Sequence, residues 1–277
     1  MKQSQKGPSI QLKHGLGQNF ILDESIQSQL VELAEIGPDD NVLEIGAGSG
    51  ALTAQLAKRC RRVMAIEIDR EMIPWLKAAT LNADNVDIIQ GDATRLNLPL
   101  LTKELGPFKI VANLPYHITT ELITMLVSSS LPILSMHIML QKESAEKLCA
   151  SPGESGYGPL TLRTQWRYEP HIALRLPAEA FTPPPKVDSA FLALIRRETP
   201  PAAVTDEKQL FRLISASFAL KRKTLVNNLM NAYHRPREET VNLLRSLPIK
   251  ETVRAEELSI QDFVRLFNAC LEMGWIS

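Results

Sequence analysis

The 277-residue chain has little of what builds secreted or membrane proteins. Its three cysteines, Cys60, Cys149 and Cys270, stand singly, and no C-x-x-C pair occurs. This argues against a disulfide framework and against a structural zinc site. The five histidines, His14, His117, His137, His171 and His234, are spread without ligand spacing, so no metal is expected. No run approaches the ~20 apolar residues of a membrane helix. The opening MKQSQKGPSIQLKHG is basic and polar, with no apolar segment of signal-peptide length. A reducing cytoplasm, away from membranes, is the expected location. Net charge is zero, which removes any bulk electrostatic argument for a nucleic-acid partner. No internal repeat or low-complexity tract is present.

What is present is ordinary globular composition, 44% hydrophobic and 22% charged, in a chain long enough for one large domain and a small one. Charge is uneven. Residues 1–150 carry 14 Lys/Arg against 17 Asp/Glu, and residues 151–277 carry 17 against 14. Basic clusters occur at Lys58-Arg-Cys-Arg-Arg62, Arg196-Arg197 and Lys221-Arg-Lys223. Each reads either as solvated surface or as a phosphate contact. Residues 1–17 read as a mobile basic arm. Apolar spacing at Ile26, Leu30, Leu33 and Ala34 predicts a helix over Asp23–Glu35, stopped by Gly37-Pro38.

Short apolar runs then alternate with helical patterns. Strands are expected at Val42–Ile45, Val63–Glu67, Val86–Ile89, Ile110–Ala112 and Met136–Leu140, with helices such as Ala51–Arg59 and Ile118–Val127 between them. Alternation of this kind predicts an α/β fold, a parallel sheet flanked by helices. His171–Leu176 and Phe191–Arg196, joined by a Pro-rich loop, are expected to add an edge hairpin. Beyond Thr199-Pro-Pro201, helical spacing of Phe211, Ile214 and Phe218, of Leu225 and Leu229, of Val241 and Leu244, and of Phe263, Leu266 and Phe267 predicts a small all-helical domain. The expected division is 1–200 and 201–277.

Asn41-Val-Leu-Glu-Ile-Gly-Ala-Gly-Ser-Gly-Ala51 is a strand running into a Gly-rich loop at a helix start. Gly46, Gly48 and Gly50 allow close backbone approach to a ligand beside helix N–H groups. Glu67, 21 residues after Gly46, can accept both hydroxyls of a ribose. The loop alone does not name the cofactor, since Gly46, Gly48 and Ala51 also satisfy the dinucleotide pattern. Asp92, directly after the third strand, and Asn113, ending the fourth, tilt the choice to S-adenosylmethionine. Asp92 reads either as an acceptor for an adenine amino group or as a helix cap or turn residue.

The stretch Val111-Ala-Asn-Leu-Pro-Tyr-His-Ile-Thr119 ends the fourth strand. Its Asn113-Leu114-Pro115-Tyr116 resembles the [N/D/S]-[P/I/L]-P-[Y/F/W] signature of methyltransferases acting on exocyclic amino nitrogens. An adenine N6 is a poor nucleophile because its lone pair is delocalised into the ring. The Asn113 side-chain oxygen and a backbone carbonyl, assigned to Leu114, can accept both amino hydrogens and aim that lone pair at a methyl group. Pro115 fixes the turn, and Tyr116 offers a stacking face worth ~1–3 kcal/mol per base. No metal or covalent nucleophile is required, and catalysis is positioning plus electrostatics. His117 adjoins the motif and reads as a helix-start or surface residue.

Gly17-Gln-Asn-Phe-Ile21, Met139-Leu-Gln-Lys-Glu143, Tyr157-Gly-Pro-Leu160, Ala180-Phe-Thr-Pro-Pro-Pro-Lys-Val-Asp-Ser-Ala190, Ser217-Phe-Ala-Leu-Lys-Arg-Lys-Thr-Leu225 and Arg254-Ala-Glu-Glu-Leu-Ser259 resemble the rRNA adenine N6,N6-dimethyltransferase family. The similarity runs from about Gly17 to the C-terminal helices and is greatest to the bacterial 16S type. The resemblance implies a Rossmann-like class I methyltransferase sheet with a helical RNA-contacting C-terminal domain. It implies dimethylation of two adjacent adenines in a hairpin loop near the 3′ end of 16S rRNA, by a monomer acting on a 30S subunit or its precursor. By the same resemblance, Asn19 and Ile21 close over the cofactor, Gly46 contacts its methionine part, Glu67 its ribose and Asp92 its adenine, with Gly48 also counted as cofactor-binding. Asn113 to Tyr116 receive the base. Phe181 either closes its opposite face or packs in the core, and Lys221, Arg222 and Lys223 are candidates for RNA contact. Relatives often carry Pro within the glycine loop, which here reads GAGSG. The alternatives are the 23S rRNA methyltransferase relative that confers antibiotic resistance, a non-catalytic assembly factor with a vestigial pocket, and an NAD-dependent dehydrogenase.

Overall fold

A computed structural model of the chain describes residues 19–116 and 118–276. The basic arm read at 1–17, and His117, lie outside the described residues. The strands are β1 (Asn41–Ile45), β2 (Arg62–Glu67), β3 (Val86–Gln90), β4 (Phe108–Asn113), β5 (Ile133–Gln141), β6 (Tyr168–Leu176) and β7 (Ser189–Arg196). They form one seven-stranded sheet in the order β3-β2-β1-β4-β5-β7-β6. β1 pairs in parallel with β2 and β4, and β2 with β3. The Arg197 amide donates to the Arg167 carbonyl at 2.9 Å, so the end of β7 meets the start of β6. That antiparallel pair is the expected edge hairpin, and it makes the sheet mixed. Strands β1, β2 and β4 are buried along most of their length, which is why they read as unbroken apolar runs. β3, at the sheet edge, is only half-buried.

The helices are α1 (Glu24–Leu33), α2 (Ala51–Ala57), α3 (Ile73–Ala79), α4 (Leu98–Leu101), α5 (Thr119–Ser128), α6 (Lys142–Cys149), α7 (Pro159–Arg167), α8 (Glu207–Ser217), α9 (Leu225–Tyr233), α10 (Arg237–Arg245) and α11 (Ile260–Glu272). Asp23 caps α1 by accepting from the Ser25 amide at 2.8 Å. The helix was expected to run to Glu35. It stops at Leu33 because Glu35 adopts a left-handed conformation, φ 51°, and its amide turns back to the Glu32 carbonyl.

Two compact units account for these elements. One runs to Ile123 and takes in His137–Gln141 and Arg175–Phe191; the other holds Thr124–Met136, Lys142–Leu174 and the chain from Leu192 on. In the first unit, the glycine loop follows β1. Gly50 starts α2 at φ 86°, and a Cβ there would lie 2.9 Å from Leu76 Cδ1 and 3.0 Å from Ala79 Cβ on α3. Gly50→Ala is therefore expected to cost about 2–4 kcal/mol, from the left-handed backbone and from overpacking. In a chain of this size that lowers Tm by about 5–10 °C. Thermal unfolding followed by circular dichroism measures it, and an unchanged Tm would contradict this packing.

In the second unit, α7 to α11 share one core. Trp166 on α7 meets Phe211 on α8 edge-on at 6.0 Å. The Arg163 guanidinium covers the Phe211 face at 4.4 Å. The Tyr157 hydroxyl, just before α7, donates to the Leu258 carbonyl at 2.9 Å, tying that turn to the segment leading into α11.

Candidate active site

A cavity of about 210 Å³ lies in the first unit, over the ends of β1, β2 and β4. Asn19, Ile21, Gly46, Gly48, Glu67, Asp92, Asn113, Leu114 and Pro115 all line it. The ligand crevice of an open α/β sheet lies at the carboxyl ends of its strands, and these residues follow or end those strands.

The glycine loop is held by the sheet. The Gly46 and Ala47 amides both donate to the Ile66 carbonyl, at 2.9 and 3.1 Å. Gly46, at φ 77°, comes so close to β4 that a Cβ would lie 3.4 Å from the Asn113 carbonyl oxygen. Gly48, at φ 55°, lies under the Phe20 ring, where a Cβ would be 2.8 Å from Cε1. Both positions therefore require glycine. Glu67 is buried and grips the loop from β2. Its Oε2 accepts from the Gly48 amide and its Oε1 from the Asp69 amide, each at 2.7 Å. Burial raises its pKa, and these two amides pull it back part of the way.

Asp92 follows β3 and accepts from the Thr94 amide at 2.9 Å and its hydroxyl at 2.7 Å. Those bonds hold its carboxyl below the usual range. The residue thus stabilises its own turn and lines the cavity at once.

The corner after β4 is anchored residue by residue. Asn113 Nδ2 donates to the Asn19 carbonyl at 3.0 Å, which leaves Oδ1, the acceptor of the amide, for a different partner. The Leu114 amide donates to Met139 on β5 at 3.4 Å. The Pro115 carbonyl accepts from the Ile118 amide and the Thr119 hydroxyl, both at 3.2 Å, at the start of α5. The Tyr116 hydroxyl pairs with Ser189 Oγ on β7 at 2.6 Å, and burial raises its pKa. Tyr116 and Phe181 do not line the cavity itself. Phe181 is buried, and its neighbour Thr182 exchanges two backbone hydrogen bonds with Phe20, at 2.9 and 2.8 Å. The segment 19–21 thus joins the glycine loop, the Asn113 corner and the Phe181 loop. Gln27 Nε2 fixes its far end on the Ile21 carbonyl at 2.6 Å.

Lys221, Arg222 and Lys223 lie in the other unit, exposed in the turn between α8 and α9, with Arg222 left-handed at φ 65°. They precede Thr224, which caps α9 through the Asn227 amide.

Among the cavity residues that the sequence motifs do not point to are Phe20 and Glu44. Phe20 stands in a quoted stretch but was not singled out. Glu44 is a carboxyl in the middle of an apolar strand; that mismatch was the signal available.

A glycine loop that carries a nucleoside-sized cavity up to an amide-bearing corner, on a sheet of this strand order, defines a class I methyltransferase. Within that class the chain belongs to the ribosomal RNA adenine dimethylase family, whose model matches residues 10–271. A ribosomal RNA small subunit methyltransferase A from Geobacillus kaustophilus is 42% identical over 264 residues, covering 93% of this chain and 90% of the relative. The crystal structure of a dimethyladenosine transferase from Plasmodium falciparum is similar with a TM-score of 0.79 and 28% identity, covering 92% of this chain and 98% of that one. The crystal structure of the 23S rRNA methyltransferase ErmE is similar with a TM-score of 0.72 and 26% identity, covering 91% and 99%.

Proposed function

We propose that this protein transfers methyl groups from S-adenosylmethionine to the N6 atoms of two adjacent adenines in a hairpin loop near the 3′ end of 16S rRNA, making N6,N6-dimethyladenine. The observation that carries the reading is the orientation of the Asn113 amide, with Nδ2 given to the Asn19 carbonyl and Oδ1 left to accept. The cavity suits the cofactor: glycines open the backbone, and the Glu67 carboxylate lines it, able to accept from ribose hydroxyls. Gly46 and Gly48 would hold its methionine portion, Glu67 the ribose and Asp92 the adenine, with Asn19 and Ile21 over it. Bound there, the cofactor supplies a methyl group already activated by the sulfonium.

The chain's own residues then act on the target amine. Asn113 Oδ1 and the Leu114 carbonyl accept its two hydrogens and keep the nitrogen near sp³ geometry. Pro115, tied down at α5, prevents that carbonyl from swinging away. Tyr116, fixed through Ser189, offers its ring for stacking, while Phe181, buried here, either turns out to close the opposite face or stays as core packing. A base stacked in a loop hides its amino group, so the adenine leaves the stack to react.

The small-subunit assignment is supported by relatives of that name at 39–42% identity, against 26% for the 23S enzyme. Supplying 30S particles, 50S particles and protein-free 23S rRNA with labelled cofactor tests it. Label is expected in 16S rRNA as dimethyladenine by mass spectrometry; label chiefly in 23S rRNA would overturn the choice.

The proposal keeps the functional division expected from the sequence. Residues 1–200 hold every catalytic and cofactor candidate, and 201–277 contact RNA. The protein acts as a cytoplasmic monomer on a 30S subunit or its precursor. Among the described residues no helix is long and apolar enough to cross a membrane. Replacing Lys221, Arg222 and Lys223 together by Ala is expected to lower the salt slope of RNA binding by about 2 (log K against log salt) if they meet phosphates. Filter binding between 50 and 200 mM salt measures this. An unchanged slope removes the three from the interface.

A further inference from the structure

Glu44 is the one cavity-lining carboxyl that the mechanism leaves unused. It lies on β1, two residues before Gly46, and is 1% exposed. Its Oε2 has no hydrogen-bond partner. The groups around it do little to hold a negative charge. β2 brings the second carboxyl, Glu67, whose field opposes ionisation. α2 brings only the Thr53 hydroxyl, itself buried without a hydrogen-bond partner. β4 places Val111 opposite it in register, and the Cys60 thiol beyond α2 is itself disfavoured as an anion by Glu44. Burial pushes the Glu44 carboxyl up to about 8, so at neutral pH the free protein keeps it mostly protonated. A neutral acid with one oxygen unsatisfied, facing a cavity, is a costly arrangement unless something that enters the cavity completes it.

Resting on the cofactor reading above, we propose that Glu44 is a proton-exchanging acid of the pocket, which gives up its proton when the ammonium-bearing methionine portion of the cofactor enters. The O–H bond of the carboxyl breaks, its electron pair stays on the carboxylate, and the proton passes to the buffer. No electrons move. The carboxylate so formed is neutralised by the incoming ammonium, and this offsets the repulsion from Glu67. The free pocket therefore carries one buried negative charge fewer than the loaded one. Ligands with the ammonium are then favoured over adenosine-like molecules without it.

The sign of the linkage is fixed. If binding releases a proton, affinity rises with pH below the free-state pKa, by at most about tenfold per pH unit for one proton. Between pH 6 and 7 the cofactor's own amine, with an ordinary pKa of about 7.7–8.0, stays charged and does not confuse the count.

Calorimetry at pH 6.5 in two buffers of different ionisation heat counts the protons. With wild type, S-adenosylmethionine and S-adenosylhomocysteine, which both carry the ammonium, are each expected to release close to one proton. 5′-Methylthioadenosine, which lacks it, is expected to release none. Glu44→Gln is expected to abolish the release with every ligand. Affinity of wild type for S-adenosylmethionine is expected to rise severalfold, up to about tenfold, between pH 6 and 7. Should Glu44→Gln fail to fold, the ligand comparison and the pH slope of wild type decide on their own. Binding without proton release, release that persists in Glu44→Gln, or equal release with methylthioadenosine overturns the inference and leaves the cofactor reading intact. No binding of S-adenosylmethionine at all removes both.

Discussion

Asn113→Ala is expected to cut the rate of methyl transfer by about 10²–10³-fold, the size of loss seen when one preorganised hydrogen-bonding group is removed from a reacting centre. The substitution takes away Oδ1, one of two acceptors for the amine. It leaves the Leu114 carbonyl in place, since that backbone is anchored through Met139 and α5. The loss should fall on kcat. Cofactor affinity should change far less, because the glycine loop is held by Ile66 and Glu67 and not by Asn113. Asn113→Asp separates the two tasks of the amide. It keeps an acceptor towards the substrate but sets a carboxylate oxygen against the Asn19 carbonyl, where Nδ2 now donates at 3.0 Å. An intermediate rate is expected. Single-turnover transfer of labelled methyl at saturating cofactor measures all three proteins. Full activity in Asn113→Ala would remove the corner from the chemistry, and no transfer by the wild type either would favour the assembly-factor reading.

Glu67→Gln is expected to weaken S-adenosylmethionine binding by about 30-fold or more, or ~2 kcal/mol at tenfold per 1.4 kcal/mol. Both carboxylate oxygens already accept from main-chain amides, of Gly48 and Asp69. A glutamine must turn its NH₂ towards one of them, so a donor faces a donor, and one acceptor for the ribose is lost as well. The glycine loop loses a strut and the cofactor a partner in a single change. Calorimetric titration reads the effect, and kcat at saturating cofactor should be much less affected. Unchanged affinity would reduce Glu67 to a structural brace, and tight binding of NAD in place of S-adenosylmethionine would return the loop to the dehydrogenase alternative.

Much of the fold is legible because its signals are local. Buried parallel strands show as apolar runs ending at Gly46, Glu67 or Asn113, each followed by turn residues. Helix α7 is harder to read, since Thr161 and Thr164 occupy buried positions beside Leu162 and Trp166 and blur the apolar period. The buried Thr164 Oγ1 has no hydrogen-bond partner. The packing of α7 and the turn before it with the C-terminal helices is likewise invisible in sequence, because it joins Tyr157 to Leu258 across 101 positions.

The candidate site divides in the same way. Residue types and spacings announced the glycine loop, Glu67, Asp92 and the Asn113 corner. What orients them did not show, because each support comes from far along the chain. Asn19 sets the amide of Asn113 from 94 residues away, and Ser189 holds Tyr116 from 73. Glu44 was hidden for another reason. In a strand reading VLEI it counts as one polar residue in an apolar run, and its burial and its unsatisfied oxygen are what single it out.

One structure tests the central claim directly: that of the protein with a non-transferable cofactor analogue and an RNA hairpin carrying the target adenines. The expected result places an adenine N6 within hydrogen-bonding distance of both Asn113 Oδ1 and the Leu114 carbonyl, its ring against Tyr116. A purine bound elsewhere, with that corner filled only by water, would contradict it.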